Sequence, residues 1–340
     1  MRGRSYWMRS GEGLYNGFLS HVYVERRVSD HPVTRDILSR LKKSEVILID
    51  HYKDIFSRSR QSYMEQLKAR SLILASREGR AVFEGAPVCQ SFGNRDFYYV
   101  SSAMNCPFNC EYCYLKGMYP SGNIVIFVNQ EDHEKELLEL AKDRKVYACV
   151  SYDTDLIGLD YISGQASRWM DFAEKNPSIL IEMRTKSAPA SLRPLENMIY
   201  AFTLSPEGIA KRYEPGAPPL KARLASAAAA LEAGCRVRLC FDPMIYLPDY
   251  KEQYGKLIEE TAGKTGFDRI EDVSVGTFRI SEEYLKRMRK AMPDSDIAWF
   301  PYDPDEGYFT YSPERNREMM DYMTGLLSRY IDEGRIWTWK

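Results

Sequence analysis

From about residue 96 the chain alternates short apolar runs with longer amphipathic stretches. The runs are "FYYVSSA" (97–103), "VYACVSY" (146–152), "SILIEMRT" (178–185), "MIYAFTLS" (198–205), "RVRLCFDPMI" (236–245) and "DVSVGTF" (272–278). Each has the length and composition of a buried strand. Helical patterns lie between most of them: "QEDHEKELLELAKD", "ASRWMDFAEKN", "PPLKARLASAAAALEAG" and "YKEQYGKLIEETAGK". The third opens on Pro218 and Pro219 and closes at Gly234, the punctuation that starts and stops a helix. Six strands alternating with helices predict an α/β fold with a parallel sheet. Its crossovers are expected to be right-handed. No Gly-rich dinucleotide turn appears, so a partly closed (β/α)6 barrel is favoured over a doubly wound sheet.

Residues 1–95 read as a small N-terminal α/β domain. "PVTRDILSRLKK" places Thr34 near a helix start and Ile37, Leu38 and Leu41 on one face. "SEVILID" has the pattern of a buried strand, and "SYMEQLKARSLILASREG" that of a helix followed by a strand. Residues 301–340 read as a short hairpin and then a helix. The expected divisions are therefore 1–95, 96–300 and 301–340.

Composition narrows the class. With 44% apolar and 28% charged residues, the 340-residue chain reads as globular. No apolar run approaches the roughly 20 residues of a membrane span. The start, "MRGRSYWMRSGEG", lacks the apolar core of a signal peptide and is given no role. Seven cysteines are too few for a disulfide scaffold, which points to a reducing cytoplasm and to thiols used as metal or redox groups. A net charge of −1 casts no overall footprint for nucleic acid. Two local basic stretches, "RSRQSYMEQLKAR" (58–70) and "YLKRMRK" (284–290), fit either solvated helix faces or a DNA-facing surface. A monomer is the default expectation.

The chemistry concentrates in "NCPFNCEYCYLKGMYP" (105–120), which carries Cys106, Cys110 and Cys113 directly after the first barrel strand. Loops at the C-terminal ends of barrel strands are where such folds place their reactive groups. A structural zinc needs four closed ligands, and the next cysteine, Cys149, is the candidate to complete that set. Three soft thiolates suit a [4Fe–4S] cluster better, with one iron left open to a small ligand.

The C-x3-C-x2-C spacing, with Tyr112 before the third cysteine, resembles the signature of the radical S-adenosylmethionine superfamily. Further segments are similar to the spore photoproduct lyase family: "CEYCYL" (110–115), "DTDLIGLDYIS" (153–163), "RTKS" (184–187), "FTLSPEGIAKRYEPGAPPLKAR" (202–223) and "FDPMIYLPDY" (241–250). "VCQSFGNRDFYYVSSAMNC" (88–106) resembles the clostridial branch of that family. The resemblance implies repair of the methylene-bridged thymine dimer in UV-damaged DNA, without light, by a radical lyase in the cell or spore interior. It also implies a [4Fe–4S] cluster, S-adenosylmethionine and a flavodoxin- or ferredoxin-type electron donor.

Residue by residue, the resemblance makes Cys106, Cys110 and Cys113 the cluster ligands. It places Tyr112 and Tyr114 near the cofactor with a part in radical transfer. It assigns Thr154 and Lys186 to S-adenosylmethionine, Lys186 toward its carboxylate. Thr203 and Asp242 sit at further strand ends facing the same mouth and are expected to touch the cofactor's ribose or adenine, although Asp242 stands where better-known members carry a small residue. Two departures stand out. Tyr152 occupies the place of the family cysteine that returns hydrogen to the product. Cys89 is the first candidate to replace that thiol, and Cys149 the second. The stretch "PYDPDEGYFTYSPERN" is acidic and aromatic where the family carries a basic hairpin that wedges into the duplex. Tyr308, Phe309 and Tyr311 are expected either to stack on bases or to pack a strand, and Lys286, Arg287, Arg289, Lys290 and the 58–70 stretch to meet DNA. Two rival readings are a radical enzyme of this fold acting on another substrate, and a zinc-stabilised nucleic-acid-binding module.

Overall fold

The computed structural model describes residues 19–86 and 89–338. The N-terminal stretch discussed above lies outside the described residues. Strands β1 (His21–Glu25), β2 (Glu45–Ile49) and β3 (Leu72–Ala75) are parallel, with β1 in the middle. The predicted helix is Pro32–Arg40, where the His31 ring accepts from the Val33 amide and caps the first turn. "SEVILID" is not a buried strand as its pattern suggests. It forms β2 at the sheet edge, and Val46 and Leu48 stay nearly half exposed.

Strand β4 (Val82–Glu84) runs antiparallel to β5 (Phe97–Val100). Two further strands, β6 (Ala103–Met104) and β7 (Ile124–Phe127), flank the cysteine loop. β7 is fully buried and pairs in parallel with β3, so it completes the N-terminal sheet in the order β2-β1-β3-β7-β6. The boundary expected at 95/96 therefore does not separate the two sheets. The cysteine loop leaves and re-enters the N-terminal sheet rather than the barrel.

The six predicted barrel strands are all present. They are β5, β8 (Val146–Cys149), β9 (Ile179–Thr185), β10 (Met198–Thr203), β11 (Arg236–Met244) and β12 (Asp272–Thr277), all parallel and side by side in chain order. The helices Gln130–Leu140, Gln165–Lys175, Leu220–Glu232 and Tyr250–Thr265 match the predicted stretches. Short helices Leu156–Ser163 and Glu207–Tyr213 add to them. This is a partial barrel of mixed α/β type.

The tail forms a three-stranded antiparallel sheet, β13 (Arg279–Ser281), β14 (Asp303–Asp305) and β15 (Tyr308–Thr310), in the order β13-β15-β14. The β14–β15 turn has positive φ at both Glu306 (46°) and Gly307 (88°), the two-residue hairpin geometry that glycine eases. Helix Pro313–Leu327 follows, and β16 (Ile336–Thr338) then pairs in parallel with β12. The tail thus returns to the barrel sheet.

With β4 at one edge and β16 at the other, the sheet does not close on itself. The segment from Cys89 to Asp96 bridges toward the far edge. Gln90 Nε2 donates to the Thr338 carbonyl at 3.0 Å, and the Phe92 ring meets Trp337 edge-on at 6.0 Å. Gly93 has φ 73°, and a Cβ there would lie 3.0 Å from the Trp337 ring, so a side chain at 93 would push this strap off β16. Beneath it, Arg238 forms a buried network with Asp272, Glu182 and Tyr147, and its guanidinium lies 3.3 Å over the Phe92 ring. A satisfied network of this kind makes a rigid floor for the barrel. Among the described residues no helix is long and apolar enough to cross a membrane.

Candidate active site

A cavity of about 1100 Å³ opens at the C-terminal ends of the barrel strands. Its wall includes Cys106, Cys110 and Cys113, the tyrosines Tyr112 and Tyr114, and Cys89. Thr154, Lys186, Thr203 and Asp242 complete the expected set, and all of them line the same space. Cys149, at the end of β8, lines it too.

The cysteine loop is tied at both ends. Asn105 adopts φ 67° and donates to the Ser121 and Asn123 carbonyls at 2.7 and 2.6 Å, while Tyr63 Oη donates to its side-chain oxygen at 3.1 Å. Arg70 was expected in a DNA-facing stretch. It is buried and turns inward, donating to the carbonyls of Cys106, Pro107 and Phe108 at 2.6, 3.0 and 3.3 Å. Lys116 donates to the Cys110 carbonyl. The Glu111 amide donates to the Tyr213 carbonyl at 2.7 Å, which docks the loop on the "YEPG" segment. Gly117 permits close contact with helix Glu282–Ala291, because a Cβ there would overlap the Tyr284 backbone.

One clamp joins the loop to the barrel. Glu214 accepts from Tyr112 Oη, from Arg223, and from Ser205 Oγ at 2.6 Å. Glu214 and Arg223 are both fully buried. Burial opposes the Glu214 charge, but Lys186 and Arg223 outweigh it and hold the carboxyl down at about 2. Lys186 Nζ lies 5.7 Å over the Tyr112 ring. Its burial favours the neutral amine, but Cys110 and Glu214 override that and keep its charge above the ordinary lysine range. Asp155 sets the lysine's backbone. It accepts from the Lys186 amide at 2.8 Å, from Thr185 Oγ1 at 2.8 Å and from the Gly158 amide at 2.7 Å. Sequence reasoning missed this clamp and the Arg70 contacts. The signal for Glu214 was its place in "YEPG".

The donor set fits an iron–sulfur cluster with an organic cofactor beside it. Among the described residues no three His, Cys, Asp or Glu side chains converge on one metal ion. A cubane cluster needs no such convergence, because each thiolate binds a different iron. The Thr154 Oγ1 is buried without a hydrogen-bond partner, and so it presents an open polar group to a ligand. Asp242 differs. Its carboxylate is engaged by Arg184 at 3.2 Å and by Ser274 Oγ at 2.7 Å, so a ligand there would meet a carboxylate that is already paired.

Elsewhere on the cavity wall, Cys89 Sγ lies 3.3 Å from Tyr152 Oη. The Tyr152 ring stacks on Tyr99 at 4.3 Å, and Tyr114 Oη donates to the Tyr152 carbonyl at 2.7 Å. Burial pushes the Cys89 thiol above its usual range, and its hydrogen bond with Tyr152 offsets this only in part. Cys89 therefore carries its hydrogen at neutral pH. Burial and Glu182 push Cys149 up to about 12.

The expected DNA-facing groups are more committed than their sequence suggests. Lys286 pairs with Glu282 at 2.6 Å, and Arg287 with Glu283. Arg289 donates to the Ala298 carbonyl at 2.8 Å. Tyr311 is buried among Tyr246, Phe300 and Tyr302, so it is a packing residue and not a base-stacking one. Of the three hairpin aromatics, Tyr308 lines the cavity.

Comparison with known proteins shows what the chain is similar to. The family model described as spore photoproduct lyase matches residues 19–296. A spore photoproduct lyase from Clostridium acetobutylicum is 20% identical, over 93% of this chain and 97% of its own length. The Bacillus subtilis enzyme of the same name is also 20% identical, over 93% of this chain and 96% of its own. A solved double mutant of spore photoproduct lyase, with bound AdoMet and dinucleoside spore photoproduct, superposes with a TM-score of 0.77 at 15% identity. The match covers 95% of this chain and 98% of that one. A second structure, complexed with dinucleoside spore photoproduct, gives 0.76 at the same coverage.

Proposed function

Because the chain belongs to the spore photoproduct lyase family, we propose that it reverts the methylene-bridged thymine dimer of UV-damaged DNA to two thymines. One observation supports this most. A single cavity brings together three loop thiols, an open Thr154 hydroxyl, a charged Lys186 and a protonated Cys89 thiol.

Cys106, Cys110 and Cys113 would hold a [4Fe–4S] cluster. With S-adenosylmethionine it supplies a 5′-deoxyadenosyl radical, which is the hard part of the chemistry. The remaining work belongs to the chain. Lys186 offers an ammonium to the cofactor's carboxylate, and Glu214 keeps that ammonium charged. Thr154 Oγ1 offers a hydrogen bond on the same side. The lesion sits between this group and Cys89. Loss of a hydrogen atom from the lesion breaks the bridging carbon–carbon bond and leaves a thymine radical, to which Cys89 Sγ returns a hydrogen atom. Tyr152 Oη holds the thiol in place, and Tyr112 and Tyr114 would pass the radical left on Cys89 back toward the cofactor, which closes the cycle. The electron for each start would come from a flavodoxin- or ferredoxin-type protein, and the work would take place in the cytoplasm or spore interior, by a monomer.

The acidic hairpin and the paired charges of helix Glu282–Ala291 favour a second reading, a radical enzyme of this fold with another substrate. One experiment separates the two. The anaerobically reduced, iron-loaded protein is incubated with dinucleotide spore photoproduct and S-adenosylmethionine. The expected product is thymidylyl-thymidine, formed with intact cluster absorbance. Release of 5′-deoxyadenosine without any thymidylyl-thymidine would refute the repair reading and leave the radical chemistry standing.

A further inference from the structure

Four cations line the cavity: Arg184, Lys186, Lys286 and Arg279. Three of them have a place in the account above. Arg184 pairs with Asp242 and Glu182 at 3.2 and 3.5 Å. Lys286 pairs with Glu282. Lys186 stands over Tyr112 on the cluster side.

Arg279 is different. It lies on β13, at the cavity wall formed with the hairpin. Its guanidinium carbon sits 4.7 Å over the Tyr308 ring. Its Nε is buried without a hydrogen-bond partner, and among the described residues no carboxylate pairs with it. Stacking on Tyr308 fixes the plane of the fork while its N–H edges stay available, the arrangement that suits bidentate recognition of an anion. A cation held in a cavity wall without a counter-charge favours a ligand that supplies one.

The location narrows the anion. Arg279 and Cys89 line the same cavity of about 1100 Å³. The lesion carbon that takes hydrogen from Cys89 must therefore sit within a nucleotide's reach of the guanidinium. Two thymines adjacent in a DNA strand are joined by one phosphodiester, which carries one negative charge. The hairpin beside it cannot take that charge, since Asp303, Asp305 and Glu306 are all exposed acids.

Building on the repair reading, we infer that Arg279, stacked on Tyr308, binds the phosphodiester that joins the two nucleosides of the lesion. It acts as a positioning residue. Phosphate contacts fix register and orientation, and the thymine pair then meets Cys89 in a single pose. In this chain β13 and Tyr308 perform what a basic hairpin would otherwise do, which accounts for an acidic turn so close to a DNA-repair cavity.

The test compares two substrates with the reduced, iron-loaded enzyme: dinucleotide spore photoproduct, which contains the bridging phosphate, and dinucleoside spore photoproduct, which lacks it. Wild type should repair the dinucleotide with the higher kcat/KM. Arg279→Gln should lower kcat/KM for the dinucleotide at least about ten-fold, mainly through KM, the loss expected for one charge-assisted hydrogen bond. Its rate on the dinucleoside should stay within about two-fold of wild type, and Arg279→Lys should recover part of the preference. Equal losses on both substrates, or no loss on either, would overturn the assignment of Arg279 alone. A wild type that repairs neither compound would overturn the reading beneath it.

Discussion

Glu214 is the most exacting point at which to test how the site is held. It is fully buried with Arg223 and accepts from Tyr112, Arg223 and Ser205. Replacement by Gln keeps the shape and removes the charge, so Arg223 is left as a buried cation without its partner. Breaking such a pair costs about 3–5 kcal/mol. Proton linkage gives an independent value. The carboxyl falls from its usual 4.5 to about 2 on folding, a drop of about 2.5 units, which corresponds to roughly 3 kcal/mol at about 1.4 kcal/mol per unit. The folded-state value is the depressed one, so this stability is fully present above 4.5 and is lost as pH falls toward 2. The gap between wild type and Glu214→Gln should thus be about 3 kcal/mol at pH 7. It should narrow by about 1 kcal/mol on going to pH 4 and by about 2 at pH 3. Urea unfolding of iron-free protein, followed by tryptophan fluorescence, measures it. A gap below about 0.5 kcal/mol at pH 7, within the range of an ordinary surface change, would refute the clamp. A large gap that does not change with pH would refute the linkage.

Three further outcomes follow from the site. Cys89→Ala should leave iron content and 5′-deoxyadenosine formation intact while diverting product from thymidylyl-thymidine to reductant adducts; Tyr152→Phe, which removes the 3.3 Å contact to the thiol, should do the same more weakly. If Cys149→Ala gives the adducts instead, the donor assignment passes to Cys149. Lys186→Ala should weaken S-adenosylmethionine binding by about 1.5–3 kcal/mol, one to two decades in affinity, and equilibrium dialysis showing unchanged affinity would mean the ammonium serves another group. Arg70→Ala removes three hydrogen bonds to the Cys106–Phe108 carbonyls and should speed iron loss to a chelator several-fold, whereas wild-type kinetics of loss would show that the loop holds its shape without them.

Local pattern carried the parts of the molecule that depend on neighbours in sequence. The six barrel strands were legible because each is a short, mainly apolar run and helical patterns lie between most of them. The cysteine loop was legible because its three cysteines lie within eight residues. What was missed depends on long-range partners. "IVIF" (124–127) after the loop was not among the strands expected, and its partner is β3, some 50 residues earlier. Arg70 carried the same charge as its basic neighbours, and nothing local says that it turns inward toward a loop 36 residues on. "SEVILID" had the composition of a buried strand, but strand position within a sheet is decided by the other strands, and β2 lies at the edge.

The Tyr152 departure shows how such long-range geometry bears on chemistry. In sequence it is the loss of a thiol at a strand end. In space the strap from Cys89 to Asp96 crosses the open side of the barrel, held by Gln90 on Thr338 and by Phe92 on Trp337. That brings Cys89 within 3.3 Å of the phenol that stands in the thiol's place. The two positions are 63 residues apart but share one point on the cavity wall. On the proposed reading the hydrogen source has moved from the end of β8 to the strap, and the strap's anchors on β16 become part of the site. Gly93 then matters for repair as well as for folding, because any side chain there would press on Trp337 and lift Cys89 from Tyr152.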